Sequence, residues 1–250
     1  MKKPTKVICR AFLFILVILP VVLLTGGCVS RDTIVSTHVN QSDIYQKYFI
    51  SGKRESTTVN AFFLVGGDSG TTVELQPPGK AEFNGKIMEK VPPNFAAGTS
   101  YRAEQKGYSS LFELSYTDSA GKIYRNRLDL EAVEFAANEP TAFVLHRLQD
   151  NFIPVSRTAF DSTENLSLVL SNVDFQKDDT NKININLPQQ FDRSKNVLVI
   201  KAETVRKMLP GRAILIMETS KSGSFPEQTP TGSGFRATYA AAPLKVQIVN

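Results

Sequence analysis

Leu111-Phe112-Glu113-Leu114-Ser115-Tyr116-Thr117-Asp118-Ser119-Ala120-Gly121-Lys122-Ile123-Tyr124-Arg125-Asn126-Arg127-Leu128-Asp129-Leu130 is the stretch whose reading decides the fold. Up to Thr117, the residues Phe112, Leu114 and Tyr116 alternate with Glu113, Ser115 and Thr117. A period of two puts apolar side chains on one face of an extended chain and polar ones on the other. Asp118-Ser119-Ala120-Gly121 has the composition of a turn. Beyond it Tyr124, Leu128 and Leu130 alternate with Arg125, Arg127 and Asp129. Two such runs about one turn predict an antiparallel hairpin with one face on a core and one in water.

The same signals extend outward in both directions. Upstream, Ala81-Glu82-Phe83 and Lys86-Ile87-Met88 flank Asn84-Gly85, the pair that best tolerates the two positive φ values of a type I′ turn. Residues 56–64 are rich in Thr, Val and Phe, and Gly66-Gly67-Asp68-Ser69-Gly70 then bends the chain. Residues 34–39, 43–50 and 71–75 also read as extended. Downstream, residues 143–145, 166–170, 182–187, 197–200, 235–239 and 244–249 follow at the spacing of sandwich strands. Residues 213–217 suit a central strand, and one helix is predicted at 202–209, stopped by Pro210-Gly211. Residues 220–234, with four Ser, three Gly and two Pro, predict a long loop disordered at its tip.

Ala136-Ala137-Asn138-Glu139-Pro140 is small, polar and closed by Pro, so it reads as a domain boundary. The expected fold is all-β: two tandem antiparallel β-sandwich domains, residues 34–137 and 138–250. Their strand rhythm resembles that of immunoglobulin-like modules of bacterial envelope proteins.

The beginning of the chain is of another kind. Lys2, Lys3, Lys6 and Arg10 precede an apolar run, residues 11–24, which ends in Leu24-Thr25-Gly26-Gly27-Cys28. A basic segment, an apolar segment and small residues before a cleavage point are the order of a secretory signal peptide. The apolar run is shorter than the roughly 20 residues of a bilayer span and contains Pro20. Leu24-Thr25-Gly26-Gly27-Cys28 resembles the lipobox of bacterial lipoproteins, with Thr25 where that family most often has Leu. The resemblance implies that residues 1–27 are removed and that the Cys28 thiol is the lipid attachment point. Residues 28–33 then form a short lipidated tether. It further implies a membrane partner through that lipid and a place in the bacterial cell envelope. Val29 stands where enteric lipoproteins kept in the inner membrane carry Asp, so the implied location is the outer membrane.

Composition bounds the rest. The formal charge is +5, from 29 basic and 24 acidic residues, but four of the basic residues lie in the signal segment and no acidic one does. The processed chain is therefore near neutral and has no polybasic character that points to nucleic acid. Cys9 sits in the signal segment and Cys28 at the lipidation point, so no disulfide is expected in the mature fold. A hydrophobic fraction of 42%, with 16 Phe and 7 Tyr, supplies a core instead.

Few constellations point to chemistry. Gly67-Asp68-Ser69-Gly70 is similar to the run around the nucleophile of chymotrypsin-like proteases. Here, however, Thr71 follows it and His38 is the only upstream histidine, so a hairpin turn is expected. His38 and His146 lack metal-ligand partners at short spacing. Asp174, Asp178, Asp179 and Asn181 form an oxygen-rich turn without the alternation and central Gly of an EF-hand. No cofactor or metal is expected. Tyr45, Tyr48, Tyr101, Tyr108, Tyr116 and Tyr124 fit strand core and cross-strand pairs, with a minority left as platforms for a glycan or protein. Two functions follow. The first is a non-enzymatic, lipid-anchored binding or structural module whose partner is another envelope protein or a glycan. The alternative is an envelope hydrolase or carbohydrate-active enzyme built on distant carboxylates, for which Glu82, Glu113 and Asp129 are ordinary candidates.

Overall fold

The computed structural model describes residues 33–93, 98–136, 143–172 and 183–250. The signal segment, Cys28, the tether up to residue 32, the Asp174 to Asn181 turn and residues 137–140 of the expected boundary lie outside the described residues.

The organising hairpin forms from β9 (Leu111–Thr117) and β10 (Ile123–Asp129), with Tyr116 opposite Tyr124 and Phe112 opposite Leu128. A second hairpin joins β5 (Lys80–Phe83) to β6 (Lys86–Ile87) through Asn84 at φ 48° and Gly85 at φ 75°. Both angles are positive, as a type I′ turn requires. β5 then pairs with β9, giving a four-stranded sheet in the order β10-β9-β5-β6. Its inner face buries Ala81, Phe83, Phe112, Leu114, Tyr116, Tyr124 and Leu128.

That face packs on a second, much larger sheet. There, β2 (Ile44–Lys53), β3 (Ser56–Val65) and β8 (Ser100–Lys106) lie side by side. Phe63 of β3 is fully buried, its ring centroid 4.5 Å from that of Tyr116 and 5.7 Å from that of Tyr101. Beyond β3 come β4 (Thr71–Glu74) and the edge strand β1 (Thr33–Val35), with β7 (Glu89–Val91) alongside β8. On the other side of β2 come β18 (Ser233–Ala240), β17 (Gly211–Gly223), β13 (Glu164–Ser171) and β14 (Asn184–Asn186). β19 (Leu244–Val249) pairs with β17 and with β11 (Phe143–His146), completing twelve strands. A three-stranded sheet of β12 (Asn151–Pro154), β15 (Phe191–Asp192) and β16 (Val197–Ile200) adds Ile153, Leu198 and Ile200 to the core. The architecture is an all-β sandwich. The one α-helix among the described residues, α1 (Ala202–Val205), is a single turn, and hydrogen-bonded turns carry the chain on to Met208.

Two expectations change. Sequence reading divides the chain near residue 138 into two sandwiches, but the large sheet continues across both parts. β18 lies parallel to β2 over seven residue pairs, from Ser233 opposite Gln46 to Tyr239 opposite Gly52. Its other edge pairs antiparallel with β17. One connected core cluster runs from Ile44 to Ile248. β1 with β4 and β11 with β19 are also parallel ladders, so the sheet is mixed. Period-two alternation sets which face of a strand is buried and says nothing about which strand lies beside it.

The expected disordered loop is also different. β17 reaches Gly223 and β18 begins at Ser233, so only residues 224–232 connect them, and they are packed. Phe225 is 2% exposed, and its ring stacks 4.7 Å from that of Phe235. The buried Thr229 hydroxyl donates to the Ile44 carbonyl at 2.5 Å. Glu227 and Asn126 exchange hydrogen bonds of 3.1 and 2.7 Å, closing the outer edge of β10. A single Phe among small polar residues leaves too little pattern to reveal this anchoring.

Candidate functional site

The alternation that buries Tyr116 and Leu128 turns Glu113, Ser115, Arg125, Arg127 and Asp129 outward, and β5 turns Glu82 the same way. Register sets Glu82 and Arg125 on either side of Ser115, and Glu113 opposite Arg127. Between these rows lies a depression of about 360 Å³ lined by Glu82, Gly85, Glu113, Ser115, Arg125 and Arg127.

Each group in it has a distinct state. Glu82 accepts from Lys80 Nζ and from Ser115 Oγ, both at 2.8 Å. The Lys80 bond, then the Ser115 bond, hold its carboxyl below the usual range against the opposing effect of burial. Arg125 is fixed through its backbone, whose N–H donates to Glu227 Oε2 at 2.7 Å. Among the described residues, no ion pair joins the guanidinium of Arg125 or of Arg127 to an acid. The result is a strand-mounted pair of cations beside the engaged carboxylate of Glu82 and that of Glu113, which has no close ion pair among the described residues.

The three carboxylates named from sequence are thus partly brought together. Glu82 and Glu113 share the depression, whereas Asp129 lies outside it, with its carboxylate 3.6 Å from Lys221 Nζ. Sequence reading treated Arg125 and Arg127 only as members of a wet face. Their signal was two arginines two residues apart on one strand, and the partner row on β5 was invisible.

The remaining candidates are dispersed. Ser69 is exposed on its turn, and Asp68 pairs with Lys47 at 2.7 Å rather than with a histidine. His38 is exposed on a 3₁₀ turn, and His146 is half-buried in β11. Among the described residues, no three His, Cys, Asp or Glu side chains gather as a metal set. Tyr48, Tyr101, Tyr116, Tyr124 and Tyr239 are buried. The Tyr108 hydroxyl donates to the Leu130 carbonyl at 2.6 Å, and Tyr45 stays half-buried on the outer face of β2.

No protein-family model matches the chain, and no curated protein matches its sequence. Among solved structures, it is similar to the crystal structure of chicken CNTN1 FN1-FN3 domains, at 11% identity over 81% of this chain and 67% of that one. The TM-score is 0.19, a similarity that carries no argument about this chain.

Proposed function

We propose that the protein is a lipid-anchored, non-enzymatic binding module of the bacterial cell envelope, held at the outer membrane through Cys28. Its four-stranded sheet offers its outer face to a partner that carries an anionic group. The observation behind this reading is the pair Arg125 and Arg127, on one face of one strand and with neither guanidinium in a close ion pair to an acid among the described residues. Residues two apart on a strand lie about 7 Å apart on one face, so both guanidinium forks reach the same surface. A guanidinium matches carboxylate or phosphate with two parallel hydrogen bonds, and Arg is enriched among residues that dominate binding energy. Glu82 and Glu113 beside them favour one orientation of a partner over general attraction of anions. The lipobox supplies the anchor, and the tether is short enough to keep the sheets near the membrane surface.

The hydrolase alternative has less behind it. A general acid needs a raised pKa, whereas Glu82 is held ionised with both oxygens engaged. Asp129 faces Lys221, so the one carboxylate that shares the depression with Glu113 is Glu82, whose oxygens are already taken by Lys80 and Ser115.

The test joins anchor and surface. A photo-crosslinking side chain at the exposed Ile123 of β10 is expected to capture a partner in envelope fractions. Arg125→Gln with Arg127→Gln is expected to abolish that product while the circular-dichroism spectrum stays unchanged. Cys28→Ala is expected to lose labelling by a palmitate analogue. A persistent crosslink refutes the arginine surface, and persistent labelling refutes the anchor.

A further inference from the structure

A second concave surface lies on the opposite face of the large sheet, where β2 meets β18. Their parallel register sets Gly234 beside Lys47 and Arg236 beside Phe49. Tyr45, Lys47, Phe49, Asp68, Gly234 and Arg236 line a trough of about 260 Å³. That is a little below the ~300 Å³ at which pockets for drug-sized ligands begin, and it is room for about one sugar ring.

The trough is built by specific local chemistry. A Cβ on Gly234 would fall 2.6 Å from Tyr45 Oη, so the glycine lets the tyrosine lie down against the strand. Phe49 keeps 39% of its surface exposed and stands edge-on to Phe62 at 5.9 Å. It is an open aromatic ring in a chain that buries five of its seven tyrosines. Asp68 reaches the rim because Gly66 and Gly67 adopt φ 97° and 87°, and a Cβ on Gly70 would collide with the Val65 carbonyl at 2.0 Å. Lys47 Nζ meets Asp68 Oδ1 at 2.7 Å and stands 5.5 Å from the Phe49 ring centroid. Among the described residues Arg236 has no acidic partner.

We infer that this trough is a binding subsite for an acidic saccharide, with a pyranose ring stacked on Phe49, its carboxylate on Arg236, the cross-strand neighbour of Phe49, and Tyr45 walling the far end. A sugar ring presents an apolar C–H face and a polar hydroxyl rim together, which is what the exposed Phe49 ring beside a fixed Lys–Asp pair accommodates. Lys47 offers donors and Asp68 acceptors to the hydroxyls. With two cations against one acid, the trough carries one positive charge in excess, and Arg236 is the group left to meet a carboxylate. The site is distinct from the Arg125 and Arg127 surface and stands or falls without it.

The experiment is calorimetric titration of the processed chain with a panel of uronic-acid tetrasaccharides and their carboxyl-reduced neutral counterparts. At least one uronate is expected to bind, and its reduced counterpart to bind about tenfold more weakly, the scale of one charge-assisted hydrogen bond. Arg236→Gln is expected to remove that difference and Phe49→Ala to weaken both ligands. Both side chains are exposed, so unchanged circular dichroism is expected and checked. Arg125→Gln is expected to leave the titration unaltered. The inference is overturned if no uronate binds, if binding survives Phe49→Ala and Arg236→Gln, or if inorganic phosphate at equal concentration displaces the sugar.

Discussion

Replacing Phe63 by Ala removes a fully buried ring where β3 meets the four-stranded sheet, with ring centroids 4.5 Å from Tyr116, 5.7 Å from Tyr101 and 6.3 Å from Tyr48. Lost transfer free energy and the residual cavity make a buried Phe→Ala change cost about 3–5 kcal/mol. Three ring pairs vanish with it, each worth about 0.5–1.5 kcal/mol beyond area, so the upper part of that range is expected. A typical domain keeps only about 5–15 kcal/mol, so the loss is a large share of the whole. Because β18 ties β2 to β17 within one sheet, the destabilisation is expected to be global. Urea unfolding followed by circular dichroism measures the total, and native-state hydrogen exchange assigns it to strands. Amides of the β13–β17 ladder are expected to lose the same free energy of protection as those of β2–β3. Phe63→Leu keeps much of the apolar volume but loses the same three ring pairs, so it is expected to cost less than Phe63→Ala yet still about 1.5 kcal/mol or more. Unchanged protection of β13 and β17 in Phe63→Ala would refute the reasoning, since it would make the two parts independent despite the shared sheet.

Three further outcomes are expected. Arg157 and the buried Glu164 form a two-armed ion pair at 2.9 and 3.3 Å, so Arg157→Ala or Glu164→Gln is expected to cost about 3–5 kcal/mol. A double-mutant cycle checks it, and strictly additive losses would contradict the pairing. Burial raises the pKa values of Tyr48, Tyr101, Tyr108, Tyr116 and Tyr239 above their ordinary value of 10.0. The fold therefore favours the neutral phenols, and their contribution is fully present below pH 10 and lost as pH rises above it. Phenolate absorbance is expected to appear in one step with unfolding, and independent titration of these five near pH 10 would contradict their burial. Residues 224–232 are expected to resist limited proteolysis, because Phe225 and Thr229 are buried; early cleavage there would show the connection to be loose.

Local chemistry was enough for much of the chain. The alternation at Phe112, Leu114 and Tyr116 fell on β9 as read, and Asn84-Gly85 took the positive φ values its turn requires. Both follow from interactions between near neighbours. Of the arginine surface, Glu82 and Glu113 were named, but as distant carboxylates. Glu113 meets Arg127 through the β9–β10 hairpin itself, but Glu82 joins them only because β5 pairs with β9, a register no local pattern encodes. The trough was out of reach for the same reason at greater range, because Thr238 of β18 lies 188 residues from Ile50 of β2, whose carbonyl its hydroxyl meets. For strands such as β3, β9 and β10 the sequence by itself determined which residues are extended, which face is apolar and where the chain turns. Only the tertiary structure decided which strands became neighbours. That choice is set by the summed burial of whole faces against the entropy of closing long loops, and neither quantity belongs to any one stretch of sequence.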